Sequence, residues 1–497
     1  MRLGLVSLGC DKNTVDSERM LGELVGQGAR RVDDLAKAEV ILVNTCGFID
    51  AAKEESIEVI LEAARMKVEG ECRSLVAVGC LVERHRAELE TALPEVDLFL
   101  GLRDLDRLGL ELRQRGWLGE SVSDHPGERL PVGSRHVSYL KVSEGCDHGC
   151  AFCAIPLWRG RHRSFEIDRL VAEAQRLEQQ GAVELNLVAQ DLAHYGRDLR
   201  DGTDITVLLR ELMDRTTIPW LRLLYIYSAG LREPLVELMA LEPRLLPYID
   251  MPIQHASDPV LERMRRPERE ASLRAKIAWL RECVPDLALR TTVLVGFPGE
   301  TDEDFRRLLD LLDEVRFDRL GAFAFSPQEG TRAVALEEEA VPEDVAQDRL
   351  AELLEIQRAI SAERLAEEVG HRLVAIVDRA ADPDDCTVEP DCCLEPDSRL
   401  EPDSRLEPPT DERARAPALG SLSLGRVASQ ADDVDGVTEL WGDRQLPVGT
   451  LVDAEIVASD DFDLRAKVLR VVRESGPTVR ARTLPIVPLG LDTAWGR

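Results

Sequence analysis

The chain has 497 residues and a formal net charge of −31, from 93 Asp and Glu against 62 Lys and Arg. One core does not fill that length, so about three domains of ~150 residues are expected, and the acidity excludes a general electrostatic footprint for nucleic acid while favouring a basic partner. No run nears the ~20 apolar residues of a membrane span and MRLGLVSLGC is too short an apolar start for a secretory leader, so the 11 cysteines read as reduced thiols and metal ligands in the cytoplasm.

Residues 1–125 alternate strand and helix: LGLVSLG, the helical SERMLGELVGQG, EVILVNTCG, a helix from Asp50, then SLVAVGC. This is the pattern of a doubly wound α/β domain. Cys10, Cys46 and Cys80 each follow one of its strands. The carboxyl ends of parallel strands form the crevice of such a sheet, so three thiols distant in sequence converge there. One cysteine at a strand end is ordinary core, but three at matching positions predict a three-cysteine metal site. Cys72 and Cys283 have no such partners and read as core residues. Asn44 and Thr45 either shape the loop before Cys46 or only satisfy its backbone.

The block 132–368 repeats the alternation, with strands expected near 137–144, 183–189, 220–226, 248–253, 288–295 and 319–325. Six βα units make a partial (β/α)6 barrel, whose site lies at the carboxyl rim of its strands. The first strand leads into Cys146-Asp147-His148-Gly149-Cys150-Ala151-Phe152-Cys153. Three thiolates in CxxxCxxC hold three irons of a four-iron cluster and leave the fourth open, whereas ferredoxin-type runs bring a fourth cysteine. An open position is where a reacting molecule binds. For this spacing the occupant is S-adenosylmethionine (SAM), bound through its amino and carboxylate groups and cleaved by a cluster electron to methionine and a 5'-deoxyadenosyl radical.

A zinc site is the alternative for these cysteines, but His148 is the only nearby group to close it and reads as an exposed loop histidine. Gln190 and Asp191 after ELNLVA, Gln254 and His255 after YIDMPI, and Gly296 opening GFPGET fall on the same rim. Each either contacts SAM or substrate or is an ordinary loop or capping residue. His255 reads as a hydrogen-bonding wall residue rather than a metal ligand. Thr301, with Asp304 three residues on, is the expected N-cap of the next helix. GFPGET lacks the GxxxxGK(S/T) pattern, which excludes a phosphate loop.

A polar helix over 341–369 precedes the last block, 371–490. Its segments LVAIVDR, GVTELW, TLVDAEIVA and LRAKVLRVV suit a small antiparallel β-barrel. An insertion at about 381–419, with the near-repeat LEPDSR-LEPDSR-LEPP, is expected to be a disordered acidic loop, and Cys386, Cys392 and Cys393 in it read as unliganded thiols. Barrels of this kind often bind RNA through basic and aromatic faces. This one is slightly acidic outside the insertion and poor in aromatics, so no stable nucleic-acid binding is expected.

With this three-block order, the run CDHGCAFCAIP and the three strand-end cysteines, the chain resembles a methylthiotransferase of the radical SAM superfamily over nearly its full length. The resemblance implies an auxiliary 4Fe-4S cluster on Cys10, Cys46 and Cys80, a SAM-binding 4Fe-4S cluster on Cys146, Cys150 and Cys153 in a radical SAM barrel, and a carboxyl-terminal TRAM domain. The family has two branches, one modifying an adenosine in tRNA and one an aspartate of the twelfth small-subunit ribosomal protein. LVAQDLAHYG, DMPIQHAS and RTTVLVGFPGET are similar to the protein-modifying branch, and an acidic chain suits a basic protein better than a polyanion. The implied reaction replaces a hydrogen on the aspartate β-carbon with a methylthio group. One SAM methylates the sulfur, a second supplies the radical, and a donor such as flavodoxin or ferredoxin supplies electrons. The rivals are the same chemistry on tRNA and a non-catalytic iron-sulfur carrier, which binds iron but yields no 5'-deoxyadenosine.

Overall fold

The computed structural model describes residues 1–119, 129–381 and 421–474, which fall in two compact units, Met1–Ser361 and Ala362–Gly476. The first two sequence blocks thus share one unit. In the amino-terminal part, β1 (Arg2–Ser7), β2 (Arg30–Arg31), β3 (Val40–Thr45), β4 (Ser74–Gly79) and β5 (Leu98–Leu100) form a parallel sheet in the order β2-β1-β3-β4-β5. The helices are α1 (Asp11–Gly26), α2 (Asp50–Glu69), α3 (Cys80–Ala92) and α4 (Leu108–Gln114). Side chains alternate across the pleat: Leu3, Leu5 and Leu42 pack with Leu21 and Leu24 of α1, whereas Ile41, Val43 and Leu75 pack with Ile60 of α2. Both faces are covered, which is why the strands read as unbroken apolar runs.

The second part carries β6 (Val137–Lys141), β7 (Ser143–Glu144), β8 (Arg163–Ser164), β9 (Glu184–Val188), β10 (Trp220–Leu223), β11 (Leu245–Asp250), β12 (Ala288–Val295) and β13 (Arg319–Ala324). Six of these strands form an open parallel sheet in the order β13-β12-β11-β10-β9-β6. Between them lie α5 (Ile155–Trp158), α6 (Ile167–Gln179), α7 (Ile205–Arg215), α8 (Glu233–Leu241), α9 (Asp258–Arg263), α10 (Glu270–Cys283) and α11 (Asp302–Val315). The expected six βα units are therefore present. The strand expected over 248–253 begins earlier, at Leu245. Pro247 breaks its apolar pattern, and the pairing with β10 is irregular across that residue, as a missing amide donor requires. Thr301 caps α11 reciprocally with Asp304 as expected. The short antiparallel pair β7–β8 closes the loop that carries Cys146, Cys150 and Cys153.

After α12 (Glu343–Glu367), the second unit is a closed five-stranded barrel, β14-β15-β16-β18-β17, built from β14 (Arg372–Ala380), β15 (Ser421–Val427), β16 (Thr438–Gly442), β17 (Leu451–Ser459) and β18 (Leu464–Arg473). Its pairs are antiparallel except β16 with β18, which run parallel. Most of the insertion, with its near-repeat and Cys386, Cys392 and Cys393, lies outside the described residues. Among the described residues no helix is long and apolar enough to cross a membrane.

Candidate active site

β1, β3 and β4 end side by side, with Ser7 opposite Asn44 and Thr45 opposite Gly79, so the residues that follow share one edge. Gly9 has φ +86°, and a Cβ there would lie 2.8 Å from the Cys46 Cβ and 3.0 Å from its Sγ. Only glycine lets the Cys10 loop pass so close to Cys46. Cys10 is the N-cap of α1 and Cys80 the first residue of α3. Buried Asn13 ties the three loops together: its Nδ2 donates to the carbonyls of Leu8 (3.0 Å) and Thr45 (3.1 Å), and its Oδ1 faces the Cys80 Sγ at 3.6 Å. Ser56 Oγ accepts from the Cys46 amide and donates to its carbonyl. Asn44 and Thr45 serve the backbone, with Asn44 donating to the Asn13 carbonyl and Thr45 to that of Val78.

Burial pushes the Cys46 thiol up to about 12 and the Cys80 thiol up to about 11. Neighbouring thiols add to the rise in both, and Arg159 opposes it. Buried Cys46 and Cys80 beside exposed Cys10 are a soft sulfur donor set, open on one side, that a cationic metal satisfies. These residues fit an iron-sulfur cluster on that ground.

The second cysteine loop is held by its backbone. The Cys146 amide donates to the Gly160 carbonyl (3.1 Å) and the Ala151 amide to that of Met264 (2.9 Å). Cys150 Sγ lies 2.8 Å from the Tyr227 hydroxyl, and the Arg266 guanidinium sits 3.7 Å over the Tyr227 ring. Burial pushes Cys146 up to about 11 and Cys153 up to about 12, so this set fits a cluster for the same reason.

His148 is not an exposed loop residue. Its ring stacks on Tyr227 (centroids 4.0 Å apart) and its Nε2 meets Asp191 Oδ2 at 2.8 Å. Asp147 and Gly149 on either side of it are exposed, and only the ring turns in, a packing that its local sequence does not reveal. Asp191 also faces His194 and accepts from the Ala193 and Tyr227 amides. Burial alone would raise its carboxyl, but hydrogen bonds from His148, His194 and the Tyr227 amide hold it well below the usual range. Gln190 donates to Glu144 (3.3 Å), and its buried Oε1 has no partner among the described residues. Gln254, at φ +69°, is fixed by backbone bonds to Thr292 and Leu294. Gly296, at φ +72°, opens the next turn, where a Cβ would meet that of Ala346 at 2.5 Å. His255 is fully buried, with Nδ1 accepting from the Ser257 amide.

Arg159, six residues past Cys153, has no motif that marks it, yet its guanidinium lies 3.5 Å from the Cys80 Sγ. It joins the cysteine loop of the partial barrel to the cysteine site of the amino-terminal sheet. Tyr225 also spans the two, its hydroxyl donating to Asp11 at 3.0 Å and its ring lying under Lys12 Nζ.

Comparison with known proteins agrees with this geometry. The chain matches the Uncharacterized protein family UPF0004 over residues 2–101, the Radical SAM superfamily over 140–312 and the TRAM domain over 415–469. The ribosomal protein uS12 methylthiotransferase RimO of Anaeromyxobacter sp. (strain Fw109-5) is 42% identical over 99% of this chain and 97% of its own length. The RimO proteins of Desulforudis audaxviator (strain MP104C) and Geobacter sulfurreducens are 41% and 37% identical, each over 94% of this chain and 97% and 98% of their own lengths. The chain belongs to the RimO family. Like the family, it is a radical SAM methylthiotransferase that uses SAM and 4Fe-4S chemistry. Likeness to solved structures is distant: the radical SAM methyltransferase TsrM from Kitasatospora setae, with tryptophan substrate and a SAM analog bound, is 16% identical, with a TM-score of 0.48 over 65% of this chain and 72% of that one.

Proposed function

We propose that this chain methylthiolates ribosomal protein uS12 on the β-carbon of an aspartate, with one 4Fe-4S cluster held by Cys146, Cys150 and Cys153 and a second by Cys10, Cys46 and Cys80. The observation that carries this reading is Arg159, six residues past Cys153, whose guanidinium lies 3.5 Å from the Cys80 Sγ within one compact unit. When bound, the clusters supply the electron that splits SAM into methionine and a 5'-deoxyadenosyl radical, and an open iron for the sulfur to be transferred.

The chain's own residues position and shield. Asp191 holds His148 against Tyr227, and Tyr227 with Arg266 orients Cys150. Ala151, Val260, Met264, Phe297 and Ala333 pack together behind the cysteine loop, an apolar wall that keeps water from a radical. We assign SAM contact to Gln190, whose buried Oε1 is free to accept, and to Gln254 and Gly296 on the same rim. Asp191 spends its oxygens within the protein, and its part in cofactor binding is to fix the loop. The charge of −31 suits a basic ribosomal protein and disfavours stable nucleic-acid binding. The eight described cysteines form no disulfide, which suits the reducing cytoplasm and an electron donor of the flavodoxin or ferredoxin class.

Two variants test the division of labour. Cys146→Ala should abolish 5'-deoxyadenosine formation while keeping the amino-terminal iron. Cys80→Ala should keep 5'-deoxyadenosine formation and lose the methylthio product. Product from the Cys80→Ala protein would sink the auxiliary assignment.

A further inference from the structure

Arg159 is 95% buried at its side chain, and its two terminal nitrogens do different things. Nη1 meets both nearby carboxylates, Asp16 at 3.2 Å and Glu144 at 2.9 Å. Nη2 has no hydrogen bond to a carboxylate among the described residues: it donates to Asn13 Oδ1 at 2.6 Å and to the Cys80 Sγ at 3.5 Å. Lys141 pairs with the same two carboxylates, Asp16 and Glu144, so two cations already balance two anions. An arginine kept only for ion pairing would present its fork to one carboxylate, the strong bidentate arrangement. Here the fork is split, with half aimed at sulfur. The acceptor of that half, Asn13, is the residue that gathers the Cys10, Cys46 and Cys80 loops.

We propose that Arg159 is a positioning residue of the auxiliary site, which donates a charged hydrogen bond to the Cys80 thiolate and thereby raises the reduction potential of the cluster held there. Hydrogen bonds to cluster sulfurs and nearby positive charge both stabilise the reduced, more negative cluster. A guanidinium stays protonated under all working conditions, so this contribution is constant. The residue follows α5 directly after the radical-site cysteines, so the loop that holds one cluster also sets the electronics of the other. The inference rests on the reading that Cys10, Cys46 and Cys80 hold a cluster.

The test uses the full chain with Cys146, Cys150 and Cys153 all changed to Ala, so that only the auxiliary cluster is reconstituted. Iron content and a redox titration followed by electron paramagnetic resonance are the readouts. With ~4 iron per chain, Arg159→Gln should shift the midpoint potential to a more negative value, and Arg159→Lys should shift it less in the same direction. An arginine that only supports packing would alter thermal stability or cluster yield but not the potential of assembled clusters. Parental potentials in both variants, with full iron, overturn the role of Arg159 and leave the auxiliary site standing. Failure of the triple-alanine chain to bind iron overturns the auxiliary site, and the role of Arg159 with it. If the Gln variant does not fold, the Lys variant decides alone.

Discussion

At the scale of single residues, what is legible in the sequence is what carries spacing. CxxxCxxC and three cysteines at matching strand ends stand out in the chain itself, because thiols are scarce and the positions repeat. Arg159, Asn13 and Tyr227 do not, since a lone arginine, asparagine or tyrosine acquires a role only when folding brings it against a sulfur. His148 departs from its expected exposed position for the same reason: its partners Asp191 and Tyr227 are 43 and 79 residues away in sequence. His255 gives a prediction at this scale. Burial lowers its pKa from 6.5 to about 4, so the folded chain keeps it neutral where the unfolded chain would protonate it. Stability from this group is fully present above ~6.5 and is lost as pH falls towards ~4, a loss of roughly 3 kcal/mol at ~1.4 kcal/mol per pH unit. Thermal unfolding of the parent and of His255→Asn at several pH values checks it. The variant should lose less stability between pH ~6.5 and ~4 than the parent, and parallel curves would contradict the account.

At the scale of elements, strands covered on both faces are the easiest to locate, because they read as continuous apolar runs. The two-residue β2 and three-residue β5 are too short to show a period and escape a sequence reading, as does β15, which follows directly on the insertion. The helix expected from Ser17 starts at Asp11, because Cys10 as N-cap gives no polar capping signal. The closed cysteine loop depends on one backbone position. Gly145 has φ +79°, and a Cβ there would lie 2.2 Å from the Arg161 carbonyl oxygen, where β7 meets β8. Neither the conformation nor the contact admits a side chain. Gly145→Ala is therefore expected to open the loop and reduce the iron bound at Cys146, Cys150 and Cys153 while the amino-terminal site stays loaded. Iron analysis of the variant in a Cys80→Ala background isolates that loss, and full iron there would contradict the role given to Gly145.

At the scale of the whole molecule, block order is legible in the sequence but the grouping of blocks is not. Length predicts about three domains, and within the chain's two compact units the amino-terminal sheet and the partial barrel share one. A buried polar seam runs between them: Asp16, Lys141, Glu144 and Arg159 pair across the two parts, as Glu18 and Glu173 do through Arg129. Ion pairs of this kind leave no trace in hydropathy, and breaking one partner strands the other in a dry interior. Under the proposed function, that shared unit brings the radical-forming site and the sulfur-donating site to one substrate carbon. The most direct test is mass spectrometry after anaerobic reconstitution with iron, sulfide, reductant and SAM, with uS12 and unmodified tRNA offered together. The account predicts a methylthio mass gain on an aspartate of uS12 and none on tRNA. A gain on tRNA adenosine, or 5'-deoxyadenosine with no gain on uS12, would contradict it.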